Sequence, residues 1–372
     1  MILAELSKTE KAILELISNN PFIGQSNIAQ ELNLARSTIA VHITQLVSKG
    51  LLLGRGYILP TSQKVTCIGG VAFNRKYALN VAPVLGTSNP GVSSQSHGGV
   101  IRNIAENLAR LDVDVSLISI VGEDESGREL LSQMRSLGVD ISQVVLSNDR
   151  PTAEYVAIFD SANELVFGVA SMGILDQITP AQIERSWSHI SSSDWVVLDC
   201  NLPSETIEKI LYLKQKADFK LAVDTVSISK AKRLPRDLSM IDILFTNRDE
   251  ANSILNFGSD ISGLDINELA TLLRKLGSKG VVLTDGANGH IINIEEEVFA
   301  TPALSSNVIN VSGAGDALVA GFISKIRSGA SVCEASKVGA ALSALTIESE
   351  MDVRQDLSVD ILNDYILQKI KD

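Results

Sequence analysis

The chain has no apolar run long enough to cross a bilayer, and it opens without the pattern of a secretory leader. Membrane-embedded and exported functions are therefore not expected. Cysteine is scarce: Cys67, Cys200 and Cys333 form no Cys-x-x-Cys pair, and three thiols leave one over in any disulfide scheme. This argues against a disulfide scaffold and for a reduced, cytoplasmic protein with buried thiols. The four histidines stand at no metal-ligand spacing, which argues against a zinc centre. No Gly-x-Gly-x-x-Gly follows the first strand-like run. Gly69-Gly70-Val71-Ala72-Phe73 stands there instead, so a Rossmann dehydrogenase is not expected.

Positive charge is also in deficit. The formal net charge is −12, but residues 1–62 carry +1 and the remainder −13. Two modules with different electrostatic character are the simplest account. At 372 residues, 45% hydrophobic and 20% charged, the chain has material for two globular domains.

In the first module, Ser7 or Thr9 can cap a helix with Ala12, Ile13, Leu16 and Ile17 at helical spacing, ended by Asn19-Asn20-Pro21. Ser26 to Leu32 predicts a second helix, with Ile28, Ala29 and Leu32 on one face. A third, opened by Arg36 or Ser37, turns Ile39, Ile43, Leu46 and Val47 inward and Arg36, Ser37, Thr38, His42 and Gln45 outward. Leu51 to Leu59 reads as a hairpin with Gly54-Arg55-Gly56 at its tip. Helices in this order followed by a β-wing resemble the winged helix-turn-helix family over about sixty residues. The resemblance implies duplex DNA as a partner, with the third helix in the major groove and Arg55 on the backbone or minor groove. The alternative is a bundle for docking or dimerisation, and a homodimer is expected.

From Lys64 onward, short apolar runs alternate with helical stretches. The runs are Val65 to Ile68, Val115 to Val121, Trp195 to Leu198, Leu221 to Asp224, Ile243 to Phe245 and Val281 to Thr284. The pattern predicts an α/β fold with a mostly parallel sheet covered on both faces. Residues 75–98 are polar and turn-rich, and 151–172 alternate like a half-exposed strand pair. Together they predict a small accessory β-sheet over the active face, a lid.

The most informative stretch is Asn307-Val-Ile-Asn-Val-Ser-Gly313-Ala314-Gly315-Asp316, read as an apolar strand running into a glycine turn and a helix. Glycines leave the backbone amides uncovered, and a helix N-terminus favours a phosphate. Asp316 beside that anion can accept the proton of an attacking hydroxyl. A capped helix after a tight turn explains the same letters. Three further segments bear on the choice. His97-Gly98-Gly99 opens a helix with Asn103 one turn in, suited to a hydroxylated ligand. Asn247 and Glu250 follow a strand, read as one helix face, and could hold a water-coordinated Mg²⁺ near phosphates, or simply start an exposed helix. Thr284-Asp285-Gly286-Ala-Asn-Gly289 is a glycine-rich turn suited to a nucleotide, or a plain hairpin.

The joint order of these segments resembles the ribokinase-like (PfkB) carbohydrate kinases across residues 64 to about 350. The implied fold is ribokinase-like: three layers, a mostly parallel central sheet and a small β lid, here preceded by the winged helix-turn-helix. The implied organisation is 1–62 and 63–372. By this resemblance Asp316 is the base, and the amides of Gly313, Ala314 and Gly315 form the anion hole. Asn247, Thr284, Asp285, Gly286, Gly289 and Gly315 serve ATP, and Glu250 with Asn247 serves Mg²⁺ through water. Asn74, Gly98, Gly99, Asn103 and Asp316 serve the acceptor, and a monovalent cation is an optional further cofactor. Within the family, "GGVIRNIAENLARL", "LDCN", "VDTVS", "TNRDEA" and "NVINVSGAGDA" are most similar to pseudouridine kinases, implying phosphorylation of a 5′-hydroxyl. One departure stands out: Asn74 occupies a position where the family pattern has an aspartate, losing a charge-assisted bond worth about 1–3 kcal/mol. A different nucleoside or sugar, or a transcription regulator using the domain as a sensor, are the alternatives.

Overall fold

The computed structural model describes residues 6–20, 23–53, 64–162, 164–255, 263–295 and 297–370. The short apolar runs become strands: β1 (Val65–Ile68), β2 (Ala72–Leu79), β3 (Gly91–Gly98), β4 (Val115–Ile118), β5 (Ile120–Gly122), β6 (Val145–Ser147) and β7 (Glu154–Phe159). The second half adds β8 (Leu165–Ser171), β9 (Trp195–Asp199), β10 (Lys220–Asp224), β11 (Ile243–Asn247), β12 (Gly280–Thr284), β13 (His290–Ile294) and β14 (Glu297–Thr301).

Eight of these form one sheet in the order β14-β13-β12-β11-β10-β9-β1-β4. Pairing is parallel from β4 to β12, and β13 and β14 return antiparallel. Every residue of β1, β4 and β9 is buried, as strands covered on both faces must be. On one face Val65 and Cys67 pack with Ile101, Ile104, Phe322 and Leu342. On the other, Ile68, Val196 and Leu198 pack with Ile183, Ile207 and Leu273. Burying each such aliphatic side chain contributes about 1.5–3 kcal/mol. The result is the three-layer, ribokinase-like architecture.

The two segments read as a lid form a second sheet, in the order β3-β2-β7-β8. Its root is buried at Ala72 and Phe73, while Val92, Leu165, Phe167 and Val169 remain exposed.

Two elements differ from expectation. The run Val115–Val121 is split: the buried Ser119 hydroxyl donates to the Gly69 carbonyl at 2.6 Å, and β5 leaves the main sheet to pair with β6. Residues 307–311 form no strand; Ile309 and Asn310 donate to the Ile347 carbonyl instead of to a sheet neighbour. Val308, Ile309 and Val311 are exposed there, because this segment borders a cleft rather than the core.

At the N-terminal end, helices Lys8–Asn19, Gln25–Glu31 and Arg36–Ser48 enclose Ile13, Ile17, Ile28, Ile39 and Leu46. Ser7 and Glu10 form a reciprocal capping box at the first helix. Gly50, at φ 72°, packs so closely on the Ser191–Ser192 backbone that a Cβ would collide. The tip of the expected wing, Arg55 and the 62/63 boundary lie outside the described residues. No helix among the described residues is long and apolar enough to cross a membrane.

Candidate active site

The glycine turn owes its shape to Gly313, which holds φ 78° with its Cα against the Asp352 carbonyl. Any Cβ would collide with that oxygen. Helix Ala314–Ile326 begins at the next residue, and its first intrahelical bond runs from the Ala317 amide to the Gly313 carbonyl at 2.9 Å. The amides of Ala314, Gly315 and Asp316 thus occupy the open first turn, Ala314 with a long 3.4 Å bond to Val311. Space beside Gly315 is empty, so a ligand can approach its backbone.

Asp316 is 9% exposed, and its Oδ2 accepts from Asn103 Nδ2 at 2.6 Å. Burial pushes its pKa up to about 7, with Asp352 and Asp199 pushing the same way. The Asn103 bond and the Arg102 charge oppose that rise. Asn103 is in turn fixed by Arg102, whose Nε and Nη2 reach its Oδ1 at 3.1 and 2.5 Å. Arg102 pairs with the fully buried Glu106 at 2.6 Å. One face of helix Val100–Arg110 therefore carries a buried relay that sets the orientation of the carboxylate. Gly98 and Gly99 make the approach to this helix: a Cβ at Gly99 would collide with the Gly70 carbonyl, and one at Gly98 with Asn74.

Asp199, the aspartate of the "LDCN" segment, joins the site although the sequence pattern assigns it no role there. It is fully buried, and burial raises its pKa. Its carboxylate accepts from the amides of Gly70 (3.0 Å), Ile101 (3.3 Å) and Asn201 (3.0 Å). It therefore clamps the ends of β1 and β9 to the start of the Val100 helix. Above it opens a cavity of about 290 Å³ whose walls include Asn74, Gly99, Asn103, Tyr155, Asp316 and Asp352. Tyr155 comes from the lid, whereas Thr152 binds Asp124 at 2.7 Å and stays out of the cavity.

On the other side of Gly315 lies a larger cleft of about 510 Å³, lined by Thr284, Gly286, Gly289, Ala314, Gly315 and the exposed Val308 and Val311. Segment 284–289 is a hairpin turn and also a wall of this cleft. Asp285 is turned away: it grips Arg248 through both oxygens, at 3.0 and 3.3 Å, and accepts from Asn288. Asn247 ends β11 in register with Thr284 and caps helix Arg248–Leu255, so it precedes the helix rather than sharing a face with Glu250. Its Oδ1 accepts the Glu250 amide at 2.9 Å, and Glu250 Oε2 accepts the Asn247 amide at 3.1 Å.

Among the described residues no group of three His, Cys, Asp or Glu side chains converges at metal-binding distance. The charge balance still fits a cation held through water. Asp224 is half-buried and close enough to Asp316 and Glu250 that desolvation and both carboxylates push its pKa well above the usual range. In the N-terminal helices, Arg36 and Ser37 are exposed. Thr38 and His42 are half-buried, with His42 Nδ1 turned inward and unpartnered.

A buried carboxylate at a helix terminus, between two cavities on a ribokinase-like fold, defines a small-molecule kinase. The chain belongs to the pfkB family carbohydrate kinases, whose model matches residues 63–354. It is a nucleoside or sugar kinase of that family, a phosphotransferase to an alcohol group. A winged helix-turn-helix DNA-binding model matches residues 6–52. The chain is 30% identical to the uncharacterized sugar kinase YeiI of Escherichia coli K12, across 95% of this chain and 98% of that one. It is 32% identical to the pseudouridine kinase of the same organism, across 73% of this chain and 86% of that one. A carbohydrate kinase from Agrobacterium tumefaciens superposes with TM-score 0.72 at 31% identity, over 82% of this chain and 97% of that one.

Proposed function

We propose that this kinase transfers the terminal phosphoryl group of ATP to the 5′-hydroxyl of pseudouridine in the cytoplasm. The single observation that carries the reading is Asp316 lining the 290 Å³ cavity while the adjacent Gly315 lines the 510 Å³ cleft. A hydroxyl from one side and a phosphate from the other can meet there. Asn103 orients Asp316, and the carboxylate takes the hydroxyl proton as the oxygen attacks. The open amides at 314–316 and the helix dipole stabilise charge on the moving phosphoryl group. Bound Mg²⁺ would neutralise the ATP phosphates, held through water by Glu250 and Asn247. Tyr155 brings the lid to the acceptor, and lid closure excludes water. Similarity to the Escherichia coli pseudouridine kinase supports the acceptor. The direct test measures ADP release with pseudouridine, uridine, ribose and adenosine; a preference for any of the other three over pseudouridine sinks the acceptor assignment.

The exposed Arg36 and Ser37 support a second role, duplex DNA binding by helix Arg36–Ser48. With Asn74 in place of an aspartate, a sensor that reports a bound nucleoside to DNA is the competing reading. Turnover in the same assay decides against a pure sensor. The exposed Phe167 and Val169, which the strand register places together on the lid face opposite Asn74 and Tyr155, support a homodimer.

A further inference from the structure

Asp352 lies in the loop between helices Val332–Ile347 and Val359–Lys369, far in sequence from every motif of the site. Its backbone carbonyl is pressed against Gly313, so the loop is locked to the turn that carries Asp316. Its side chain reaches the acceptor cavity at 4% exposure. There Oδ2 accepts from Asn74 Nδ2 at 3.0 Å, and Oδ1 accepts a long 3.4 Å bond from Asn310 Nδ2. Among the described residues no Lys, Arg or His reaches it within ion-pair distance. A carboxylate has about four acceptor sites, and two amide bonds leave about half of them unfilled. A buried acceptor with spare capacity, facing only the more distant charge of Arg102 and no direct ion-pair partner, is costly unless a ligand completes it.

Asn74 is the other half of the arrangement. An aspartate at 74 would set two carboxylates face to face across the present 3.0 Å contact. With an amide there, the one negative charge of the pair has moved from lid strand β2 to the 352 loop. Asn74 then holds Asp352 in place, and its carbonyl oxygen and second N–H are left for the ligand.

We propose that Asp352, oriented by Asn74, accepts hydrogen bonds from ring hydroxyls of the phosphoryl acceptor and determines which polyol the kinase binds. This rests on the kinase reading above and adds a residue that the motifs do not supply. Asp352 takes no proton in the reaction; it binds and positions.

The test uses the full chain, acceptor and ATP kinetics, and three variants: Asp352→Asn, Asn74→Asp and the two combined. Asp352→Asn should raise the KM for pseudouridine about tenfold to a hundredfold, with kcat changed much less and the KM for ATP unmoved. Asn74→Asp should cost at least as much through like-charge repulsion. The combined variant restores an amide facing a carboxylate and should recover most of the loss. An unchanged ATP KM and a single cooperative thermal transition show that the variants fold. An active wild type whose acceptor KM ignores Asp352→Asn, or a combined variant no better than Asn74→Asp, overturns the proposal alone. A wild type that phosphorylates none of the nucleosides or sugars tested overturns the kinase reading, and this proposal with it.

Discussion

Asp316 must be ionised to accept a proton, so pH is the sharpest perturbation. Burial lifts its pKa from the ordinary 3.8 to about 7, Asp352 and Asp199 add to the rise, and Asn103 and Arg102 oppose it. With a midpoint near 7, about one carboxyl in ten is ionised at pH 6 and about nine in ten at pH 8. The acceptor kcat/KM should therefore climb about tenfold over that interval, measured by coupled ADP release at saturating ATP. Stability runs the other way. Between pH 3.8 and about 7 the folded chain keeps a proton that the unfolded chain has released. That stabilising contribution is complete below 3.8 and is lost as pH rises through 7. At pH 8 the buried charge costs about 4 kcal/mol. Asp316→Asn removes the charge and keeps an acceptor for Asn103. Urea unfolding should show the variant more stable by up to about 4 kcal/mol at pH 8, shrinking to about 2 kcal/mol at pH 5. Its turnover should fall by orders of magnitude. An acid limb near pH 4, or a stability gain equal at both pH values, refutes the buried-base argument. Near-normal turnover refutes the assignment of the base.

Three other outcomes follow from the same structure. Arg102→Met should destabilise by about 3 kcal/mol in urea unfolding, at the low end for a broken buried pair because Arg110 still reaches Glu106 at 2.8 Å; a loss under 1 kcal/mol would mean the relay is solvated. Gly313→Ala should cost at least about 1–3 kcal/mol, since a left-handed φ and the Asp352 carbonyl both oppose a Cβ, and should depress kcat more than the KM for ATP; unaltered kcat would show the turn to be dispensable. For the N-terminal helices, Arg36→Ala should weaken duplex DNA binding and reduce the slope of log K against log salt by about one, read by fluorescence anisotropy; absence of wild-type binding at low salt ends the DNA proposal.

Much of the architecture could be read from local patterns. Six apolar runs marked central strands because a strand buried on both faces has to be apolar throughout, and Val65–Ile68 and Trp195–Asp199 meet that condition. The Ser7 cap was legible because capping is decided within four residues. Reading 307–311 as a strand failed because exposed apolar residues lining a cleft look the same in sequence as buried ones. Ser119 broke a predicted strand through one hydrogen bond to Gly69, a partner that no window around position 119 contains.

For the site, the sequence alone determined the chemistry on offer: a glycine turn, a carboxylate one residue beyond it, and an amide at Asn103. Those are properties of short segments, where spacing along the chain equals spacing in space. Only the tertiary structure decided which groups share a cavity. It brought Asp199 from the end of β9 and Asp352 from a C-terminal loop beside Asp316, turned Asp285 away onto Arg248, and set Asn74 against Asp352. The physical reason is that pKa and binding strength depend on burial and on charges a few ångströms away. Those distances are set by the order of strands in the sheet and the packing of loops over their ends, not by position along the chain.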